Sequence, residues 1–139
     1  MAFREKSAWI MSAALLLAGA IYFNSVASIW QQTGQLAQPM VPLLFGYVIA
    51  IVAISVVSHI ALAIFSPRDA NAPADERERQ IIIRSGYYSS YVLATGLLIA
   101  MGLYLALHNG DLLFYIVFLS LMLAQLVEYA LTIILYRTA

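Results

Sequence analysis

Glu128 is an acidic residue inside a stretch, 112–136, that is otherwise almost continuously apolar. An ionised carboxylate within a bilayer is costly, and such groups face a protein interior or a wet cavity. At ~1.5 Å per residue, Glu128 lies about 13 Å inside the end of its helix at Arg137. Gln125, three residues before it, and Thr132, four after it, extend a polar stripe on one helix face. His59 stands in a different apolar stretch, ~12 Å from the equivalent edge at Pro67 by the same rise. Ser55 lies one turn before it, and Ser58 is adjacent. Equal depth on separate helices makes His59 the natural partner of Glu128, as an ion pair or a neutral hydrogen bond. A carboxylate here that exchanged its proton for a small cationic or polar solute would perform the central step of coupled transport.

Arg84 opens the membrane part of a third apolar stretch and can extend its stem toward water or reach Glu128. Ser85, Tyr87, Tyr88, Ser89, Ser90 and Tyr91 follow it and crowd hydroxyls into one level of the chain. Glu128, His59, Gln125, Arg84, Tyr88 and Tyr91 together form a candidate intramembrane polar site. The competing explanation is an interfacial tyrosine belt with ordinary bonds between helices. Asn24, with Ser28 one turn later, is expected to bond a neighbouring helix. His108 and Asp111 fall short of a metal site, and no metal is expected. The two histidines lie toward opposite faces, so one chain cannot hold a haem between them. Nucleophile elbow, phosphate loop and HExxH are all missing, as is cysteine, so neither an enzyme nor a cofactor is expected.

The elements that position these residues follow from composition. Of 139 residues, 63% are hydrophobic and 10% are charged, against about 25% charged in a soluble domain. The apolar residues gather into four stretches, at about 8–30, 42–65, 82–107 and 112–136. Each exceeds the ~20 residues that cross a bilayer. A chain in hydrocarbon must satisfy its own backbone bonds, so the spans are helices. Short links join the first to the second and the third to the fourth. The expected fold is therefore all-α, an integral membrane antiparallel four-helix bundle forming a single domain over 1–139. Pro42 suits the first turn of the second helix. Asp75 with Glu78 has capping-box spacing, which starts the third helix near Glu76. From there to Leu107 is ~48 Å, more than the ~30 Å core, so its beginning projects into water. His108-Asn109-Gly110-Asp111 reads as a tight turn. Ala13, Ala14, Gly19, Gly46, Ala50, Ala53, Gly96, Ala100, Gly102 and Ala106 offer small surfaces for helix packing.

All seven basic residues, Arg4, Lys6, Arg68, Arg77, Arg79, Arg84 and Arg137, lie near the ends or around the central loop. Positive charge in short loops marks the cytoplasmic face, so both termini and the loop 68–79 are expected inside. In that loop Asp69, Asp75, Glu76 and Glu78 alternate with Arg68, Arg77 and Arg79. A rival reading of the first stretch makes Arg4 and Lys6 the start of a signal peptide, with Ser25-Val26-Ala27 as its cleavage site. The apolar core is long for that role, which favours a retained span. Net charge is zero, and direct nucleic-acid binding is not expected.

The segment Asp75-Glu76-Arg77-Glu78-Arg79-Gln80-Ile81 before the third span resembles that of small bacterial inner-membrane proteins of uncharacterised families. The similar layout covers most of the chain. Some such proteins resemble membrane partners of small cytoplasmic transcription regulators, which implies a regulatory role. Glu76, Arg77 and Arg79 then form a cytoplasmic docking surface within 68–83. The rival is a solvated helix start with local ion pairs. The chain is also similar in size and span count to small multidrug resistance exporters. Those carry their essential carboxylate in the first span, which here has none, so that role does not transfer to Glu128. The leading expectation is a membrane interaction or regulatory protein, with membrane lipid, a second copy and a cytoplasmic regulator as partners. The alternative is an oligomeric proton-coupled transporter using Glu128.

Overall fold

A computed structural model describes residues 2–138. Met1 and Ala139, the ends placed on one side by the charge argument, lie outside the described residues, as do the side chains of Asp69 and Ala70. The described chain is built of helices: α1 (Phe3–Thr33), α2 (Val41–Phe65), α3 (Pro67–Asn71), α4 (Glu76–Leu107) and α5 (Gly110–Thr138). Four of them, α1, α2, α4 and α5, are long and apolar enough to cross a membrane.

The ends of these helices follow local chemistry. Gly34 closes α1 in the left-handed region at φ 71°, its N–H donating to Trp30 O at 2.8 Å, a conformation that glycine adopts without a Cβ clash. Pro42 sits in the first turn of α2, as its missing N–H allows. Pro67 starts the one-turn α3, which the alternating charges of this loop did not announce. Asp75 Oδ1 accepts from Glu78 N at 2.7 Å and caps α4 where the acidic spacing places it. The α4–α5 turn is tighter than its sequence suggests. His108 takes the left-handed position at φ 50°, and Asn109 Oδ1 accepts from Leu112 N at 3.0 Å. Asn109 acts as an N-cap, so Gly110 is already helical.

The principal contacts join α2 to α1, α1 to α5, and α5 to α4. Along α4 and α5 the pairs run in opposite sequence order. Tyr136 meets Glu78, Thr132 meets Ser85, and Ser120 meets Gly96. Ser85, Ser89 and Ala100 are buried in α4, and Ser120, Ala124 and Thr132 in α5. Small side chains let the two backbones approach closely. In α1 a buried stripe runs through Ala8, Met11, Leu15, Gly19, Tyr22 and Val26. These residues recur every three or four positions, the period of one helix face.

α2 contains no buried residue. Gly46 and Gly102 have nothing near the position of an added Cβ, and Ala13, Ala53 and Ala106 are exposed. Small residues thus serve contacts at Ala14, Gly19, Gly96 and Ala100, Gly46 and Ala50 border a hollow between α1 and α2, and Ala13, Ala53, Gly102 and Ala106 lie on outer faces. Large apolar side chains also cover the outside, among them Leu17, Ile49, Ile64, Leu98 and Leu105. Water would penalise so much exposed apolar surface; lipid tails do not. Near the α1–α2 loop, Tyr22, Val26 and Tyr115 are buried, with Phe23, Tyr47, Phe114 and Phe118 packed around them. Tyr115 donates to Ala37 O at 2.9 Å, tying the loop to α5.

Candidate functional site

The polar side chains concentrate at the end of the molecule opposite the aromatic cluster. α1 begins before its apolar stretch, so Arg4, Glu5, Lys6 and Ser7 are helical and carried against their neighbours. Glu5 is buried, and its carboxylate accepts from Arg137 Nε at 3.3 Å. The Arg137 guanidinium also lies 5.5 Å from the centre of the Trp9 ring, within cation–π range. Lys6 Nζ donates to Ser66 Oγ at 3.3 Å, fastening α1 to the end of α2. On the far side, Tyr136 donates to Glu78 Oε1 at 3.1 Å, and Arg77 Nη2 donates to Tyr136 O at 3.2 Å. These bonds tie together the ends of α1, α2, α4 and α5.

His59 belongs to this layer. Its Nδ1 lies 2.7 Å from Ser55 O, and its Nε2 lies 2.8 Å from Ser7 Oγ. A carbonyl oxygen only accepts, so Nδ1 carries a proton; in the neutral ring, Nε2 then accepts from the Ser7 hydroxyl. Both ring nitrogens are occupied without Glu128. Glu128 itself is half-buried, and its backbone oxygen accepts from Thr132 Oγ1 at 2.8 Å. Among the described residues, no hydrogen bond or ion pair links its carboxylate to His59 or Arg84. A similar distance from the helix ends by residue count does not bring these groups together, and the imidazole is taken by Ser7 of α1 instead.

The other members of the polar set are distributed over two hollows. Gln125 and Tyr129 of α5, with Ser55 and Tyr47 of α2, line a cleft of about 370 Å³ that is otherwise apolar and floored by Met11 and Leu15 of α1. The cleft presents an amide and hydroxyls among aliphatic groups, chemistry suited to a largely apolar guest with one polar group. Arg84 and Tyr88 line a separate hollow with Leu131 and Leu135, between α4 and α5. Tyr91 lies beside that region, its hydroxyl 2.8 Å from that of Tyr87. The residues expected to form one site therefore occupy three places: His59 at the polar end, Gln125 in the cleft, and Arg84 with Tyr88 on the other side of α5.

The start of α4 is ordered and charged. Glu76 Oε1 accepts from Gln80 Nε2 at 3.5 Å, a long contact, and Arg79 is exposed. Arg77 is turned toward the end of α5. Sequence reasoning passed over Glu5, Ser7 and Trp9 as partners. The signal was present: an acid at the start of the first helix and a base at the end of the last lie at one level once both spans cross. Counting these charges only as markers of orientation concealed their pairing. No family model matches the chain, nor does any curated protein or solved structure.

Proposed function

We propose that this chain is a multi-pass protein of the bacterial inner membrane, folded as an antiparallel bundle of spans with both termini and residues 68–79 in the cytoplasm. Its role in this reading is interaction rather than catalysis: the start of α4 docks a cytoplasmic regulatory protein. The observation that carries the reading is the firm seating of that helix start. Asp75 caps it, Glu78 and Arg77 bond to Tyr136 at the end of α5, and Glu76 and Arg79 remain exposed. Charged groups displayed on an immobilised helix bind a partner with less ordering entropy than the same groups on a loose loop. Zero net charge does not weaken this, since docking depends on the local pattern of signs.

The test is a photocrosslinking residue at Arg79 in intact cells, with a second at Leu105 as control. One soluble protein should be captured at 79 and not at 105, and Glu76→Arg with Arg79→Glu should abolish the capture. Recovery of no specific partner across several growth conditions overturns the docking role. Oligomeric proton-coupled transport through Glu128 is a second reading, favoured by the cleft beside α5. It has less support, because Gln125 and Tyr129 line the cleft while Glu128 between them does not. Solute-induced proton release from purified protein, abolished by Glu128→Gln, is the outcome that would establish it.

A further inference from the structure

Asn24 stands in the interior of α1 with its carboxamide unanswered. The residue is exposed and makes no hydrogen bond to another described residue, where its sequence position leads one to expect a bond to a neighbouring helix. It lies seven residues, about 10 Å, before Gln31, where polar residues resume at the end of the span. Its neighbour Phe23 packs beside Phe118, the ring centres 6.1 Å apart, and Phe118 is eight residues, about 12 Å, inside α5. Both measures put the amide within the hydrocarbon, where unpaired donors and acceptors are costly.

Asn24 belongs to an ordered seam. Ala13, Leu17, Ala20, Asn24, Ala27 and Gln31 are all exposed, and they recur at alternating intervals of four and three residues. That is the repeat which keeps one seam facing a parallel partner in a left-handed helix pair. The seam lies opposite the contacts that α1 makes within the chain. Leu17, Ala20, Asn24 and Gln31 each follow a buried residue (Ala8, Met11, Leu15 and Tyr22) by nine positions, which is about two and a half turns. α2 and α5 therefore leave it free. Alanine alternates along it with a longer side chain: the alanines let a second backbone approach, and Asn24 and Gln31 set carboxamides between them. Gln31 likewise makes no hydrogen bond to another described residue.

We infer that α1 pairs along this seam with α1 of a second copy, about a two-fold axis normal to the membrane, and that the two Asn24 carboxamides bond each other. Copies inserted in one direction present the same residue at the same depth, so each level of the seam meets itself. A carboxamide carries both donors and an acceptor. Two of them across the axis satisfy each other reciprocally, which two carboxylates or two guanidinium groups do not. A lipid tail offers the amide nothing, whereas symmetry supplies a matching amide at this depth from a second copy. An asparagine at one seam position also fixes the register of the pair. The pairing uses neither residues 68–83 nor Glu128, so it stands apart from the docking and transport readings.

Förster transfer between donor- and acceptor-labelled full chains in dioleoylphosphatidylcholine vesicles tests it, the labels being attached through Ala74→Cys. Transfer should rise linearly with the acceptor fraction, as it does for two chains, and should persist as lipid dilutes the protein. Asn24→Leu should weaken association about tenfold, the scale of a hydrogen bond between membrane helices, and Asn24→Gln should restore part of it. Ala20→Phe, which keeps the amide but holds the backbones apart, should weaken it too. Gly102→Phe, on an outer face of α4, should not. In a separate measurement, oxidation should link Gln31→Cys chains in pairs and leave Trp30→Cys chains unlinked, since exposed Trp30 is at the same level but off the seam. Absence of transfer from the purified chain overturns the proposal, as does unchanged association in Asn24→Leu. So does an equal loss in Gly102→Phe, or equal linking at positions 30 and 31. Circular dichroism confirms that each variant is folded; if Asn24→Leu or Ala20→Phe unfolds, the linking at positions 30 and 31 decides.

Discussion

Glu5 and Arg137, 132 residues apart in the chain, meet at 3.3 Å and close the polar end of the molecule. The pair is lopsided, since the Glu5 side chain is 9% exposed and that of Arg137 is 60% exposed. Removing the arginine leaves a buried carboxylate without its partner; removing the acid leaves an arginine that water can solvate.

The two ends of this pair should therefore differ in thermal unfolding. Arg137→Ala is expected to cost about 1–3 kcal/mol, the penalty of an abandoned buried group, together with its contact to Trp9. Glu5→Gln keeps a hydrogen-bond acceptor and should cost under about 1 kcal/mol. Equal losses in the two variants would mean that Glu5 is not desolvated as described.

Gly96 and Gly102 offer a controlled comparison within α4. A Cβ at Gly96 would run into the side chain of Ser120, whereas one at Gly102 meets open space. Gly96→Val should destabilise the chain by about 1–3 kcal/mol through overpacking. Gly102→Val should stay within about 0.5 kcal/mol. Melting temperatures of both variants in one detergent are the required measurement.

Tyr22 and Tyr115 are neighbours in one aromatic cluster with opposite hydrogen-bond status. The Tyr22 hydroxyl is buried without a partner, while that of Tyr115 donates to Ala37 O. Tyr22→Phe should be neutral or stabilising, and Tyr115→Phe should cost about 1 kcal/mol. A marked loss in Tyr22→Phe would reveal a bond made by that hydroxyl in solution.

The sequence contains no cysteine, so single-cysteine variants report topology without background labelling. Ala74 should label only from the cytoplasmic side, and Thr33 and Asn109 only from the opposite side. Labelling of position 74 from outside intact cells would reverse the proposed orientation.

The number of spans and some of their limits were legible because hydropathy and caps are local properties. Asp75 places the start of α4 within one residue, and Pro42 falls in the first turn of α2. The polar site was less legible because depth is only one of three coordinates. Residue counting gives His59 and Glu128 one depth, yet lateral position depends on which helices are adjacent, and no span reports that from its own sequence. Ser7 lies nearer the start of its helix, and it, rather than Glu128, reaches the imidazole. Gly46 and Gly102 make the same point: small residues permit close packing but do not select which face is used.

α2 is attached near both ends and sparingly between them. Tyr47 touches Tyr22 and Phe118 at one end, while His59 and Ser66 are bonded to α1 at the other. The cleft lies along the stretch that separates them. Both attachments are made by side chains that project away from the axis of α2. A roll of the helix would have to break them, so they fix which residues of α2 face the cleft as well as how far away the helix stands.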